Sequence, residues 1–387
     1  MRHQNTVLHG LIKTLPRWRF EQLVRRHGAD HRVRSLPTWS QLVALLYAQL
    51  AGVCSLRELV AGLASHGNLL YHLGVGTVRR STLADANATR PLAVFSDVFA
   101  LLLRRLQPEL AGQAKDVLRL VDATTLKLSA LSDWARVSAN HHAVKLHVAY
   151  DPKAAVPTFF EITPARLNDI TVAQRMPLDD GATYVFDKGY YDFGFWAALD
   201  TRGCHFVTRR KINTPLAVIE DRPAKEPSIL ADQLGSLPER LARSRQNPYA
   251  KPIRLVTVAR DEGPPLELLT NDLEAEAEVI AALYKARWQV ELYFRWVKQN
   301  LKIKRFIGTS EHAVKLQILT ALIAYLLLRL AQTALPGAAS LHHLARLVKV
   351  NLMHRKSPAE LLQPPPKPPP PATPIPQLTL NLSHAHL

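Results

Sequence analysis

Val117-Leu118-Arg119-Leu120-Val121-Asp122-Ala123-Thr124 is where the texture of this sequence changes. A β-branched, apolar run of this kind suits a buried strand, and this one delivers a carboxylate near its far end. The pattern returns downstream in Ala143–Tyr150, Pro157–Thr163, Thr183–Asp187 and Cys204–Thr208, and Tyr184-Val185-Phe186 again runs into an aspartate, Asp187. Asp169–Arg175 and Phe193–Arg202 are amphipathic and separate the later strands as helices. Three strands in succession, then alternating helices and strands, predict an α/β fold with a mixed sheet covered by helices.

Upstream, residues 1–115 lack such runs and read as an all-helical N-terminal domain. Its first 35 residues hold eight Lys and Arg against Glu21 and Asp30, so one face of the first helices should be strongly positive. Trp39–Leu50 reads as an apolar helix, and Ser55-Leu56-Arg57-Glu58 is a capping-box pattern opening another. The turn-rich Gly74-Val75-Gly76 and a short polar helix fronted by Arg79 and Arg80 complete a unit that resembles a helix-turn-helix, although any small helical bundle offers such pairs. Downstream, residues 210–272 scatter Pro, Arg and Glu. With Pro252–Ala259 and Leu266–Asn271 paired around Gly263-Pro264-Pro265, they read as a β-rich insertion apart from the main sheet. One long helix is expected over Leu273–Leu301. The fold-bearing segments are then 116–209 and 273–310, with apolar helices over 311–356 and a tail, 357–387. Nine of the 27 prolines fall in Pro364–Pro376, an extended polyproline stretch.

The chain has 387 residues, 47% hydrophobic and 21% charged, which excludes whole-chain disorder. Its formal net charge of +17 points to a polyanionic partner, nucleic acid before an anionic membrane. Two cysteines, Cys54 and Cys204, make neither a disulfide framework nor a four-cysteine zinc site, and His141-His142 and His342-His343 lack zinc spacing. Met1–Ser40 carries no secretory apolar core, and the lipid-like Ile318–Leu328 is 11 residues, short of the roughly 20 a spanning helix needs. A cytoplasmic protein without a membrane partner is expected. No G-x-x-x-x-G-K-[ST] occurs, so no ATP is expected either.

The chemistry centres on Tyr284-Lys285-Ala286-Arg287-Trp288-Gln289-Val290-Glu291 and the helix beyond it. At about 100° per residue, Tyr284, Arg287, Glu291 and Lys298 share an arc of roughly 60°, with Arg295 and Lys302 near the same stripe. Leu283, Val290, Phe294, Val297 and Leu301 form the core face about a quarter turn away. Taken alone, Arg287–Glu291 also reads as a surface ion pair. Asp122 and Asp187 change that balance, because a carboxylate after a buried strand sits at the carboxyl edge of a sheet, where open α/β folds place ligands. Asp151, Asp169 and Asp192 are rivals, since strand-end aspartates also form turns. If the Glu291 helix crosses both strands, three carboxylates converge. Oxygen-only ligands suit Mg²⁺ or Mn²⁺, and two such ions about 4 Å apart serve phosphodiester chemistry.

In these residues the sequence resembles the insertion-sequence DDE transposases of family four. Tyr284, Arg287, Glu291 and Lys298 fit a Y-x2-R-x3-E-x6-K signature. Val121-Asp122-Ala123-Thr124-Thr125 and Phe186-Asp187-Lys188-Gly189-Tyr190-Tyr191 look like that family's two Asp boxes, with Ala143-Val144-Lys145-Leu146-His147 as the strand between. The likeness covers about residues 1–350. It implies a ribonuclease H-like catalytic domain with a β-rich insertion, and Asp122, Asp187 and Glu291 as catalytic residues holding two Mg²⁺ (or Mn²⁺). It also implies cleavage at terminal inverted repeats, followed by attack of the freed 3′-OH on the opposite strand or on target DNA. In similar transposases the opposite-strand attack makes a hairpin with a base flipped out. Tyr284, Arg287 and Lys298 would then grip phosphates around that base. Trp288 is either a stacking partner or a core-edge aromatic. Lys145 and Lys188 are phosphate neighbours or solvated lysines. Arg287, Arg295, Lys298 and Lys302 would line a basic groove for double-stranded DNA, making binding salt-dependent. A homodimer on DNA and a location at the bacterial nucleoid are further expectations of the family.

Overall fold

The computed structural model describes residues 5–107, 117–240, 246–301, 306–335 and 340–362. Lys302 and the proline-rich tail lie outside them. The chain opens with helices α1 (Val7–Ile12), α2 (Arg17–Arg26), α3 (Thr38–Ala51), α4 (Leu56–Ser65), α5 (Gly67–Leu70), α6 (Arg80–Thr89) and α7 (Leu92–Leu106). Ser55 caps α4 as the sequence predicts: its side chain accepts from the Glu58 amide at 3.1 Å, and the Glu58 carboxylate accepts from the Cys54 amide at 2.8 Å. The expected helix-turn-helix is placed differently. Between α4 and α6 lie α5 and a 3₁₀ turn, too much chain for a tight turn, whereas α3 and α4 meet at 99° across a short connection. Gly52 makes that corner possible by ending α3 at φ +77°, in the left-handed region.

A single sheet follows. Its strands are β1 (Leu118–Leu128), β2 (Arg136–Ser138), β3 (His141–Asp151), β4 (Val156–Pro164), β5 (Thr183–Phe186), β6 (His205–Arg209), β7 (Ala217–Arg222), β8 (Ile229–Ser236), β9 (Ile253–Val258) and β10 (Leu266–Thr270). Their order is β2-β3-β1-β5-β6-β10-β9-β8-β7, with β4 also paired to β3. β1, β5 and β6 run parallel, while β3 is antiparallel to β1 and β4 to β3. β9 and β10 pair as the sequence predicts, but the segment is not set apart. β10 hydrogen-bonds to β6 through Leu268–Thr270, so β7–β10 continue the main sheet. The physical reason is that β6 would otherwise be an open edge, and the apolar run of β10 covers it.

Alternation along the strands divides the core. Leu120, Val148, Val185, Val207 and Leu268 face one cluster, which is continuous with the N-terminal helices. Val121, Ala149, Phe186, Phe206 and Leu269 face the other, beneath α8 (Asp169–Ala173) and α9 (Phe193–Thr201). The expected single helix over Leu273–Leu301 is two, α10 (Ala277–Ala286) and α11 (Trp288–Asn300). At their junction the Arg287 amide donates to the Tyr284 carbonyl and the Val290 amide to the Arg287 carbonyl, a local tightening to i→i+3 bonds. Beyond them come α12 (Glu311–Thr333) and α13 (Leu341–Asn351). With 23 residues, α12 exceeds the 11-residue run read in sequence and is long and apolar enough to cross a membrane. Here Ile318–Leu328 is buried on every side, against α3, α6, α7, α11 and α13. An all-round apolar helix suits that central position.

Candidate active site

The parallel pairing of β1 and β5 places Leu118–Val121 beside Thr183–Phe186, and on each strand the next residue is an aspartate. Asp122 and Asp187 therefore lie side by side where the parallel pairing ends. Asp122 does not end its own strand. β1 continues against β3 to Leu128, with Asp122 opposite Val148. By alternation with Leu120, Asp122 points to the face that α11 covers. Asp187 caps the 3₁₀ turn Lys188–Tyr190, where its Oδ1 accepts from the Gly189 amide at 2.7 Å. A side chain at Gly189 would meet that oxygen at 2.8 Å and displace the Asp187 carboxylate from its capping position.

Glu291 is held over these strands by the packing of α11. Val290, Phe294, Val297 and Leu301 are buried as the helical period predicts. Tyr293, not singled out in the sequence, adds the main anchor. Its ring lies 5.0 Å from Tyr150 of β3 and 5.0 Å from Tyr325 of α12, pinning α11 between sheet and central helix. On the exposed side of this register, Arg287 bridges two acids: its guanidinium is 2.6 Å from Glu291 Oε1 and 3.5 Å from Asp122 Oδ2. The same group lies 5.7 Å from the centre of the Tyr284 ring.

Burial dominates the electrostatics of Asp122. It pushes the carboxyl up to about 6, against the Ala123 amide and the Arg287 charge that favour ionisation, while Asp187 and Glu291 raise it further. Tyr190 is pushed well above the usual phenol range, first by burial and then by Asp122, Asp169 and Asp187. Its hydroxyl is buried without a hydrogen-bond partner among the described residues. Sequence reasoning passed over it, although it stands inside the second Asp box. Of the rivals, Asp169 lies beside the site and binds Lys145 Nζ at 2.8 Å, whereas Asp151 pairs with Arg119 and Asp192 caps α9. Lys145 is thus engaged, with a second bond to the Leu167 carbonyl at 3.1 Å. Lys188 and Arg295 are exposed, Lys298 is half-buried, and Arg79 and Arg80 are exposed at the start of α6. Trp288 is 50% exposed, with the Arg295 guanidinium 5.9 Å from its ring, so it is not a core-edge aromatic.

Among the described residues, no three Asp, Glu, His or Cys side chains surround one point closely enough to hold an ion. Asp122, Asp187 and Glu291, the acids expected to share a cation, are brought to one region of the fold. Two are strand neighbours, and the third reaches them through Arg287. Three like charges in a partly desolvated cleft repel one another, and the guanidinium between two of them offsets that repulsion. The donor set nevertheless fits a hard divalent cation, being carboxylate oxygen throughout, and Arg287 marks where positive charge is already favoured.

Residues 113–327 match the family model described as a transposase DDE domain, and residues 3–76 match one described as a domain of unknown function. A putative transposase, y4zB, of Sinorhizobium fredii is 40% identical over 289 residues, covering 73% of this chain and 80% of that protein. The probable transposase for insertion sequence element IS5377 of Geobacillus stearothermophilus is 29% identical, over 66% of this chain and 68% of its own. The putative transposase for insertion sequence element IS4SA of Synechocystis is 25% identical, over 66% and 72%. A mixed sheet covered by helices fits such a domain, and the chain belongs to the insertion-sequence DDE transposases.

Proposed function

We propose that this transposase binds the terminal inverted repeats of its insertion sequence and catalyses strand cleavage and strand transfer, with Asp122, Asp187 and Glu291 as its metal ligands. The observation that carries this reading is the β1–β5 register, which sets Asp122 beside Asp187 within reach of the Arg287–Glu291 pair. The central strand order β4-β3-β1-β5-β6, antiparallel then parallel, supports a ribonuclease H-like catalytic domain. When bound, two Mg²⁺ or Mn²⁺ ions supply activation of the attacking hydroxyl and stabilisation of the leaving oxygen. The chain's own residues do the rest. Asp122 and Asp187 orient the scissile phosphate's surroundings from the rigid sheet, and Glu291 approaches from α11. Once Arg287 exchanges its carboxylate partners for a phosphate, it frees both acids and grips the DNA bidentately. Tyr284, Lys298, Arg295, Lys188 and exposed Trp288 extend that grip along the strand. Lys145 acts by holding Asp169, and Arg79 and Arg80 contact the duplex from the helical domain. The enzyme works on chromosomal DNA as a dimer that pairs two ends.

The test uses duplexes carrying the DNA that flanks the coding frame. The wild type is expected to nick them only with Mg²⁺ or Mn²⁺ and to join precut 3′-OH ends to a target. Asp122→Asn, Asp187→Asn and Glu291→Gln are expected to bind the same DNA but to lose at least about a hundredfold in nicking. Cleavage retained in any one of these variants removes that residue from the site, and cleavage without joining makes the protein a nuclease.

A further inference from the structure

The surface cleft between α2 and α7 lies in the helical region that precedes the sheet, outside the matched transposase DDE domain. At about 100° per residue, Arg25, Trp18, Gln22, Arg26 and Arg19 fall within an arc of roughly 120° on α2. All five are exposed, while Phe20 and Val24 face the core. A solvated helix needs no tryptophan on its outer face, yet Trp18 is 55% exposed, with the Arg19 guanidinium 4.4 Å from its ring centre. Opposite this stripe α7 presents Asp97 and Arg104, and the two helices enclose a cleft of about 140 Å³. Asp97, the single acid of the cleft lining, is already engaged by His27 Nε2 at 2.8 Å and Arg26 at 3.5 Å. Among the described residues, Arg19, Arg25 and Arg104 have no carboxylate partner.

Other outer faces of the helical region are poorer in charge. The exposed positions of α4 offer Arg57 beside Glu58, then Ala61, Ala64 and Ser65, and α6 follows Arg79 and Arg80 with exposed Asp85. The helix-turn-helix-like corner therefore carries the angle expected of a reader of DNA without its charge. Arg19 and Arg26 stand seven residues apart, about 10 Å along the helix. Duplex DNA carries one phosphate per roughly 1.7 Å of its axis, so both arginines can meet the backbone at once.

We infer that the Arg19–Arg26–Arg104 cleft, flanked by Trp18 and Arg25, is a docking surface for the backbone of double-stranded DNA. The inference rests on the transposase reading and gives its helical domain a specific contact face. Anisotropy titrations of the full chain, with flanking-end and shuffled duplexes at several salt concentrations, test it. The variant Arg19→Gln/Arg26→Gln/Arg104→Gln is expected to lose at least about tenfold in affinity near 0.1 M salt. Its salt slope should fall by about 2–3. Trp18→Ala is expected to weaken binding while leaving the slope unchanged, because it removes no charge. Arg346→Gln/Lys349→Gln, on the exposed side of α13, controls for net charge and should keep the wild-type slope. If the wild type binds duplex and the triple variant matches it in affinity and slope, this assignment is overturned and the transposase reading survives. A wild type that binds neither duplex overturns both, as does binding to vesicles containing phosphatidylserine with none to DNA.

Discussion

Replacing Asp122 by Asn should make the metal-free protein more stable at neutral pH, although it removes a charge 3.5 Å from Arg287. The carboxyl is 17% exposed and its ionisation is held up to about 6 from 3.8, chiefly by burial. A shift of that size corresponds to about 3 kcal/mol of cost for carrying the charge in the folded state. The sign follows from proton linkage. The folded carboxyl holds its proton more tightly than the unfolded one, so stability falls as pH rises from about 4 to about 6 and the whole cost is present above that. Asparagine matches the shape and carries no charge at any pH. With an unfolding entropy near 0.8 kcal/mol/K for a chain of this size, the gain near pH 8 amounts to about 4 °C in Tm. Near pH 4.5 it should shrink to about 1 kcal/mol, since the wild-type carboxyl is then largely protonated in the fold. Thermal melts of both proteins in chelator at the two pH values measure this. A variant that melts below the wild type near pH 8 would refute the reasoning, because ionised Asp122 would then owe more to Arg287 than it loses by burial.

Adding Mn²⁺ in excess near pH 8 should raise the wild-type Tm. Binding at a hundred times Kd contributes about 2.7 kcal/mol, and melts of Asp122→Asn and Asp187→Asn should show little of that rise. Val290→Ala, beneath Glu291 at 0% exposure, removes two methyl groups and should cost about 2–3 kcal/mol in denaturant titration. Arg254→Met should cost about 3–5 kcal/mol, because it leaves Asp232, 6% exposed and bonded at 2.7 Å, as an uncompensated buried charge. Ser55→Ala should cost about 1 kcal/mol by removing the cap of α4.

The strands around the two aspartates were legible because buried parallel strands leave apolar runs, and Val117–Val121, interrupted only by the ion-paired Arg119, and Tyr184–Phe186 are such runs. The core stripe of α11 was legible for the same kind of reason, a period of 3.6 over four buried residues. The joining of β10 to β6 was not. Sheet neighbours are chosen by which edges stay open, and residues 210–265 separate these two strands without any local mark of the pairing. The central place of α12 was similarly hidden, since an apolar circumference reads alike for a bilayer and for a core built from α3, α7 and α13.

Arg287 shows where local pattern stops informing. Spacing put it on one stripe with Glu291, and a straight helix would leave the two as a solvated i,i+4 pair. The tightened junction at Arg287 and the tyrosine contacts that press α11 onto β3 instead carry its guanidinium to Asp122, 165 residues earlier in the chain. No window of sequence contains that contact. Its consequence is chemical: the acids proposed to accept a cation are already joined by one that the chain supplies. An incoming phosphate can draw Arg287 away, so DNA binding and metal binding should favour each other. The coupling is reciprocal by thermodynamic necessity. Substituting Arg287 by Gln would remove the internal competitor together with the phosphate ligand. Mn²⁺ should therefore bind the DNA-free variant more tightly than the wild type, while DNA no longer improves the metal's affinity; equal Mn²⁺ affinity in the two DNA-free proteins would dissolve the proposed exchange.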